Sequence, residues 1–557
     1  MNLDSLITVA GLFVAVYAII PRVRLLEISL RFGTTGWIIL SISLSFILYL
    51  QFYKTFLVLG LTPGLNLSRW SINTSNASFL IMLVTVIILY AYIKIKHLSR
   101  VNVIKLRDYV FELSREKRYS ELFSLIEGNL AQVTKTYHDR FLTSRLKLYL
   151  EKCATSYPSI TSLSDTELQE LVDRLANPPS KINYRLWPTI DGYWKKLLIE
   201  LSRILPSHEK EKTAAKEIIH EILINKNTVK AITEIKPYLA LDILPIKFNE
   251  NHYFIDTYLR YLAEDTKSIM YHEVRNNQNL THQHCYSLPS NNKLLHFLFA
   301  NCKVAESYAV YKPIGEFVIV YLDRLYSGSM PDPYNDPIGD FIQSGRWDSE
   351  LFVGISFFDI MITSALYQNI QWHMWLYYYT HFVERIVRNI APNEKLVNPH
   401  DEWPTRYHRA LYEITSSLCK WITAVSDMDL SQDNIKLQTT SATHENGNIP
   451  KSSMLALGRI FQLIMLSDNI LDTFKLYLAD MMYREYFNLK SHSKTKPYAN
   501  AFINAIRCGG FNTMTPNYKY AEYLLYAFEK FDRIPYSTDL TNELHEILRD
   551  NVTQAKE

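Results

Sequence analysis

Three long uncharged stretches in the first hundred residues constrain this chain more than any other feature. No Asp, Glu, Lys or Arg occurs in the 17 residues after Asp4, the 22 residues after Arg31 or the 24 residues after Arg69. A helix needs about 20 predominantly apolar residues to cross a bilayer, with a range of roughly 17–25. The sequence therefore predicts a transmembrane domain over residues 1–97, with three spans at about residues 5–21, 36–55 and 75–95.

Basic residues around these stretches predict how the spans are oriented. The segment Arg22–Arg31 carries three arginines and one glutamate, the segment between the second and third spans carries only Arg69, and a run of Lys and Arg begins at Lys94. Cytoplasmic loops carry the excess of Lys and Arg. We therefore expect a multi-pass protein of the inner (cell) membrane with its N-terminus outside and everything after His97 in the cytoplasm.

Two faces within the predicted spans carry small or hydroxyl side chains. In the first span, residues at helical spacing predict close packing against another helix: Thr8, Gly11, Ala15 and Ala18. In the second span, three residues share the face of Trp37 and are candidates for lining a pore: Ser41, Ser45 and Tyr49. Helix packing is the commoner use of such a face. Three spans cannot enclose a pore alone, so a pore requires a homo-oligomer.

The remainder of the chain has the pattern of an all-α protein. Glycine accounts for only 16 of 557 residues, and apolar residues recur at helical rather than alternating spacing, as in a stack of helical hairpins without a sustained repeat. The apolar run 317–321 resembles a strand, but Leu322 and Leu325 extend it at helical spacing. Polar and proline-rich segments divide the chain into juxtamembrane hairpins (98–155), a helical subdomain (156–330), an aromatic-rich core (331–430), a linker (431–452) and a C-terminal subdomain (453–557).

The most apolar stretch after the predicted spans is 351–379. It contains Asp359, Gln368 and His373, which make membrane insertion costly, so we interpret it as buried core helix. Its end is the densest aromatic and basic patch of the chain: Trp372, Trp375, Tyr379, His381, Arg385 and Arg388. Aromatic rings stack on bases while arginines hold phosphates, so this patch is the candidate site for a nucleotide or a single-stranded oligonucleotide. Packing of the aromatics in a core, with the arginines on a solvated face, is the commoner use of such a pattern.

Motifs that carry catalysis are missing from the sequence. No glycines have the spacing of a phosphate-binding loop, and neither a nucleophile elbow nor a zinc-protease motif occurs. The five cysteines are widely spaced, which predicts neither a disulfide scaffold nor a zinc knuckle. We therefore predict no enzyme activity, no cofactor and no metal site. The weak candidates for metal or acid–base chemistry are His282, His284 and Cys285, the group Asp332, Asp336 and Asp340, and the pair His400 and His408.

This order of parts, with a few uncharged spans followed by a large helical body without catalytic motifs, resembles the membrane effectors of bacterial antiviral defence systems. The DNA-gated effector of the Hailong type is one example. The resemblance covers architecture over the whole chain and rests on no diagnostic motif. It implies a cytosolic domain that reads a nucleotide or oligonucleotide signal, spans that assemble into a pore or ion channel, and protein partners from the same system.

Two other functions remain open from the sequence. In the first, the spans are only an anchor and the helical body is a scaffold that recruits protein partners. In the second, the chain is a membrane-tethered enzyme with an unrecognised helical active site. An oligomeric, ligand-gated membrane effector is the leading hypothesis.

Overall fold

The computed structural model describes residues 20–60, 74–96, 98–138, 208–277, 288–368, 375–392, 401–426, 449–509, 517–530 and 538–557, together with residues 147, 200, 286 and 370. Within these ranges the regular structure is helical and contains no β-strand. The prediction of an all-α protein is thereby confirmed. The chain divides into two compact units, Met1–Leu239 and Ala240–Glu557.

The N-terminal unit combines two long apolar helices with a group of shorter amphipathic ones. Helix α5 buries Val103, Leu106, Val110 and Leu113 on one side, and this spacing of three and four residues is the reason it packs as an amphipathic helix. Helix α8 packs against α5 and α7, and α9 packs against α6. The helices are α1 (Arg22–Arg31), α2 (Thr34–Gln51), α3 (Tyr53–Val58), α4 (Thr74–Ile95), α5 (Asn102–Arg115), α6 (Tyr119–Glu127), α7 (Leu130–Tyr137), α8 (Glu209–Leu223) and α9 (Lys226–Ile235).

Two helices of the described residues are long and apolar enough to cross a membrane. Their apolar segments are Ala77–Ile95 and Glu350–Tyr367. A third is added if Arg22–Arg31 and Thr34–Leu50, which meet at a bend of 94°, are counted as one broken span. The exposed apolar faces of Thr34–Leu50 and Ala77–Ile95 indicate association with a membrane, whereas Glu350–Tyr367 is 72% buried within the protein. Helices α2 and α4 coincide with the predicted second and third spans, whereas most of the first lies outside the described residues, so three consecutive spans stay a prediction.

The C-terminal unit is a layered bundle of helices. Helix α10 begins at the last residue of the N-terminal unit, and 3₁₀ turns at Pro333–Asn335, Gly339–Ile342, Gly345–Asp348 and Ala424–Ser426 connect longer helices. The helices are α10 (Leu239–Ile243), α11 (Asn251–Glu264), α12 (Ile269–Asn276), α13 (Lys293–Phe299), α14 (Cys302–Ser307), α15 (Tyr311–Tyr326), α16 (Glu350–Tyr367), α17 (Trp375–Asn389), α18 (Arg406–Thr423), α19 (Ile449–Met465), α20 (Asp472–Ser491), α21 (Lys496–Cys508), α22 (Tyr518–Lys530) and α23 (Thr538–Lys556).

Helix α16 is the centre of this unit. It contacts every helix from α11 to α15, together with α17 and α18, and 72% of its apolar window is buried within the protein, compared with 11% for Ala77–Ile95. Gly354 allows α15 to approach closely, because a Cβ at this position would lie 2.5 Å from Cγ2 of Val318. A helix that is apolar on all sides requires cover on all sides. The surrounding helices of the C-terminal unit cover α16, which supports the interpretation of 351–379 as core.

Several predicted segments can be compared with these elements. The run 317–321 lies inside α15, so the helical interpretation is confirmed and the strand alternative is wrong. The proline-rich stretch after Met330 forms 3₁₀ turns between α15 and α16. The predicted linker 431–452 lies mostly outside the described residues, and its last residues form the first turn of α19, which begins at Ile449.

Candidate functional site

The junction between the apolar helices and the rest of the N-terminal unit is built around α1. Arg22, at the start of α1, forms ion pairs with Glu112 on α5 (2.7 Å) and with Glu116, which follows the last residue of α5 (3.2 Å). All three side chains are about half exposed, so each pair contributes roughly 0.2–1 kcal/mol. The geometry is nevertheless specific, because one guanidinium spans two carboxylates four residues apart at the end of α5.

Apolar burial and hydrogen bonds hold the other end of α1. Leu30 is completely buried, and burying a leucine contributes about 1.5–3 kcal/mol. Nδ2 of Asn102, the first residue of α5, donates to the carbonyl oxygen of Leu30, and the hydroxyls of Ser29 and Tyr109 lie 3.2 Å apart. Helix α1 is therefore fixed to α5 along its whole length.

The bend between α1 and α2 brings three segments together. Arg31 donates to the carbonyl oxygens of Ile93, near the end of α4, and of Gly128, after α6, both at 3.4 Å. Nζ of Lys96 would lie 2.9 Å from a Cβ at Gly33, so glycine leaves room for the lysine at the start of α2. Arg31 thus links the end of α4 to the segment after α6 at the point where α2 begins.

Helices α2 and α4 pack against each other along one face each and leave the remaining faces open. Ser78 and Thr85 of α4 are buried, and the Thr85 hydroxyl donates to the carbonyl oxygen of Ile81. Large apolar side chains on the other faces are exposed, among them Trp37, Ile42 and Phe46 of α2 and Phe79, Ile87 and Tyr90 of α4. Exposed apolar faces of this size are typical of surfaces that contact lipid or further helices.

The predicted pore-lining residues divide between two environments. Ser41 and Ser45 are exposed on α2. Tyr49 is half-buried and contacts aromatic rings of its own chain, with its ring stacked on Phe56 at 6.1 Å. The predicted packing residues of the first span, Thr8, Gly11, Ala15 and Ala18, lie outside the described residues.

The predicted ligand-binding patch does not form one surface in this structure. Trp375 and Tyr379 are completely buried in the C-terminal unit. The Tyr379 hydroxyl donates to the carbonyl oxygen of Ile355 at 2.9 Å, and its ring stacks on Trp421. A base needs an accessible ring face for stacking, and these two rings offer none. Trp372 lies outside the described residues.

The basic members of the patch lie on other faces of α17. Arg388 pairs with Asp323 and its guanidinium lies 4.1 Å from the centre of the Tyr326 ring. Arg385 lies 3.7 Å from the same carboxylate, and His381 is exposed beside Glu384. Helical geometry explains the correction to the predicted site, since positions 375 and 379 turn inward while 381 and 388 turn outward.

The remaining candidates from the sequence have structural partners or lie elsewhere. Asp332 accepts hydrogen bonds from the backbone of Tyr334, from Asn335 and from the Tyr407 hydroxyl, so it stabilises a 3₁₀ turn. His282, His284, Cys285 and His400 are outside the described residues. Among the described ranges, no group of three or more His, Cys, Asp or Glu side chains is arranged to hold a metal ion.

Comparison of the chain with protein-family models, curated proteins and solved structures finds no match. The arguments about its function therefore rest on the geometry.

Arg22–Arg31, interpreted from the sequence only as a charged segment between two spans, is a docked helix. The sequence does contain the pattern of an amphipathic helix here, because Val23, Leu26 and Leu30 recur at a spacing of three and four residues directly after Pro21. The partners of Arg22 carry no such pattern, since Glu112 and Glu116 resemble any exposed pair one helical turn apart.

Proposed function

We propose that this chain is an oligomeric membrane effector, a pore or ion channel whose opening is controlled by the helical body, and that it acts in bacterial antiviral defence. The order of its parts is the basis for the defence assignment. In this proposal the predicted first span, α2 and α4 cross the inner membrane, which puts the N-terminus outside and the body in the cytoplasm. The clustering of α1, Arg31 and Lys96 at one end of the two apolar helices supports that orientation.

Assembly of several copies follows from the open faces of α2 and α4. A pair of helices with one contact face each encloses no channel, and the exposed face with Ser41 and Ser45 is available to neighbouring copies. Hydroxyl side chains on such a face hydrogen-bond between helices or contact water in a pore.

The docking of α1 on α5 is the observation that carries the proposal. An anchor needs only a hydrophobic helix and a linker, whereas here ion pairs and a buried leucine connect α1 to α5, and the Arg31 side chain donates to backbone carbonyls at the end of α4 and after α6. A rigid connection is what a sensor requires to change the state of a pore, provided that its ligand binds the two states with different affinity.

The first experiment reverses charge at this junction. Cells producing the full chain with the neighbouring genes of the system are challenged with phage, and membrane potential is recorded. We expect Arg22→Glu to reduce depolarisation about fivefold, for a coupling of about 1 kcal/mol, and the added changes Glu112→Arg and Glu116→Arg to restore it. Arg24→Glu is the matched control, because the pair that Arg24 forms among the described residues is with Glu27 of its own helix.

The second experiment tests the pore itself. Ser41→Leu combined with Ser45→Leu should weaken depolarisation, while Ile42→Leu on the same helix should leave it unchanged. A full chain that never depolarises the cell under phage challenge would contradict the pore and favour the anchored scaffold.

A further inference from the structure

A cavity of about 430 Å³ lies in the C-terminal unit beside the central helix α16. Its walls come from α12, the 3₁₀ turn Gly345–Asp348, α16 and α18, and Tyr286 closes one side. Pockets for small ligands typically have volumes of about 300–1,000 Å³ and combine apolar walls with a few convergent polar groups. The side chains here fit that description, with Ile355 and Ile360 next to charged groups.

Two arginines on the wall share one carboxylate. Nη2 of Arg346 lies 3.1 Å from Oε2 of Glu413, and Nε of Arg409 lies 2.9 Å from its Oε1. The guanidinium of Arg346 also lies 4.4 Å from the centre of the Trp347 ring. Nε of Arg346 is buried out of contact with solvent and has no hydrogen-bond partner within the described part of the chain, so Glu413 does not use all the donors of this guanidinium.

A lysine on the next turns of α18 adds a third positive charge. The Lys420 ammonium lies 5.1 Å from the centre of the Tyr286 ring. Among the described residues, no carboxylate lies within 4.0 Å of it. Within the described part of the chain, the half-buried Lys420 therefore has an aromatic ring rather than a carboxylate as partner, which compensates its charge incompletely.

Asp359, the second carboxylate of the cavity, contacts neutral hydroxyl groups rather than a cation. The Tyr286 hydroxyl donates to Asp359, and Thr363 also contacts this carboxylate. Three cations, Arg346, Arg409 and Lys420, thus face two carboxylates, Asp359 and Glu413. The cavity carries a net positive charge although the whole chain is close to neutral.

We propose that this cavity binds a small molecule bearing a single phosphate group, held by Lys420 and the guanidinium of Arg346. Phosphate carries a charge of about −1.5 to −2 and three strong acceptor oxygens, which matches an ammonium and a guanidinium that line the same cavity. The hydroxyls of Ser416 and Ser417 line the same cavity and are further donors. Asp359 and Glu413 repel additional phosphates, so a monoester is favoured over a polyphosphate. Resting on the proposed function, this ligand is the signal that the body reads.

The test uses the purified full chain in detergent and measures thermal stabilisation by inorganic phosphate, a sugar monophosphate, a nucleoside monophosphate and the matching nucleoside. We expect a monophosphate to raise Tm and the nucleoside to have no effect. Lys420→Ala should weaken binding at least tenfold, and Lys420→Arg should restore most of it. Lys303→Ala, on the exposed side of α14, is the matched control, and each variant is compared at its own Tm without ligand.

The outcomes separate the site from the effector function. Esters that bind better than inorganic phosphate identify a phosphorylated metabolite, and equal binding identifies the free anion; both support the site. The site is rejected if no monophosphate raises Tm or if Lys420→Ala binds as tightly as the parent chain. Binding without any depolarisation of phage-challenged cells keeps the site and removes the effector function.

Discussion

Glu485 is a carboxyl group between α18 and α20, and its replacement by glutamine tests how the core of the C-terminal unit responds to pH. The residue is 8% exposed, and its Oε1 accepts a hydrogen bond from the Thr423 hydroxyl at 2.7 Å. Burial raises the pKa of Glu485 from its usual value of 4.5 to about 7, and the Thr423 hydrogen bond opposes this only in part. The folded protein therefore favours the protonated form.

The sign and size of the effect follow from this pKa. Because the folded pKa lies above the unfolded one, the stabilisation is complete below pH 4.5 and is lost as pH rises through 7. A shift from 4.5 to about 7 corresponds to about 3 kcal/mol at 1.36 kcal/mol per pH unit. Glu485→Gln keeps an oxygen to accept from Thr423 and has no charge to desolvate. We expect Glu485→Gln to abolish the loss of stability that the parent chain shows as pH rises.

The assay is the thermal unfolding of the purified full chain in detergent from pH 5 to pH 8.5. The parent chain should lose several degrees of Tm more than Glu485→Gln over this interval, and the two should converge at pH 5. Glu546→Gln, an exposed position on α23, is the control and should follow the parent curve. Parallel curves for Glu485→Gln and the parent would refute the reasoning.

Two further predictions concern buried positions of the same unit. Burial lowers the pKa of His408 to about 4 from 6.5 while its Nδ1 lies 2.8 Å from the Thr405 hydroxyl, so stability should fall by about 3 kcal/mol as pH drops from 6.5 to 4. His408→Phe should reduce the fall in Tm between pH 6.5 and pH 4. An unchanged fall in Tm would show that His408 is not its cause. A Cβ at Gly315 would overlap the Tyr378 ring, so Gly315→Ala should cost about 1–3 kcal/mol, measured as a lower Tm. Adding Tyr378→Ala should make the glycine substitution nearly neutral, and a full additive loss would show that the overlap is not the cause.

The helical fold and the apolar helices could be predicted from the sequence because both depend on local composition. Uncharged stretches around residues 36–55 and 75–95 are long enough to form α2 and α4 irrespective of their surroundings. The helical spacing after residue 317 likewise predicts α15. In 351–379, Asp359 and Gln368 within an apolar stretch favoured a core helix over a span, and α16 is 72% buried.

The candidate sites depended on which distant segments cover each helix, and a single sequence does not encode that locally. Arg22 meets Glu112 across 90 residues, Tyr286 meets Asp359 across 73, and Arg346 meets Glu413 across 67. The sequence places Trp375 and Tyr379 beside arginines, but α18 and the rest of the core cover these rings and leave the arginines outside. Composition and periodicity determined that the chain is helical and where its apolar helices lie. Long-range packing alone decided which charges meet and which remain unpaired, because burial and Coulomb interactions depend on distance in space.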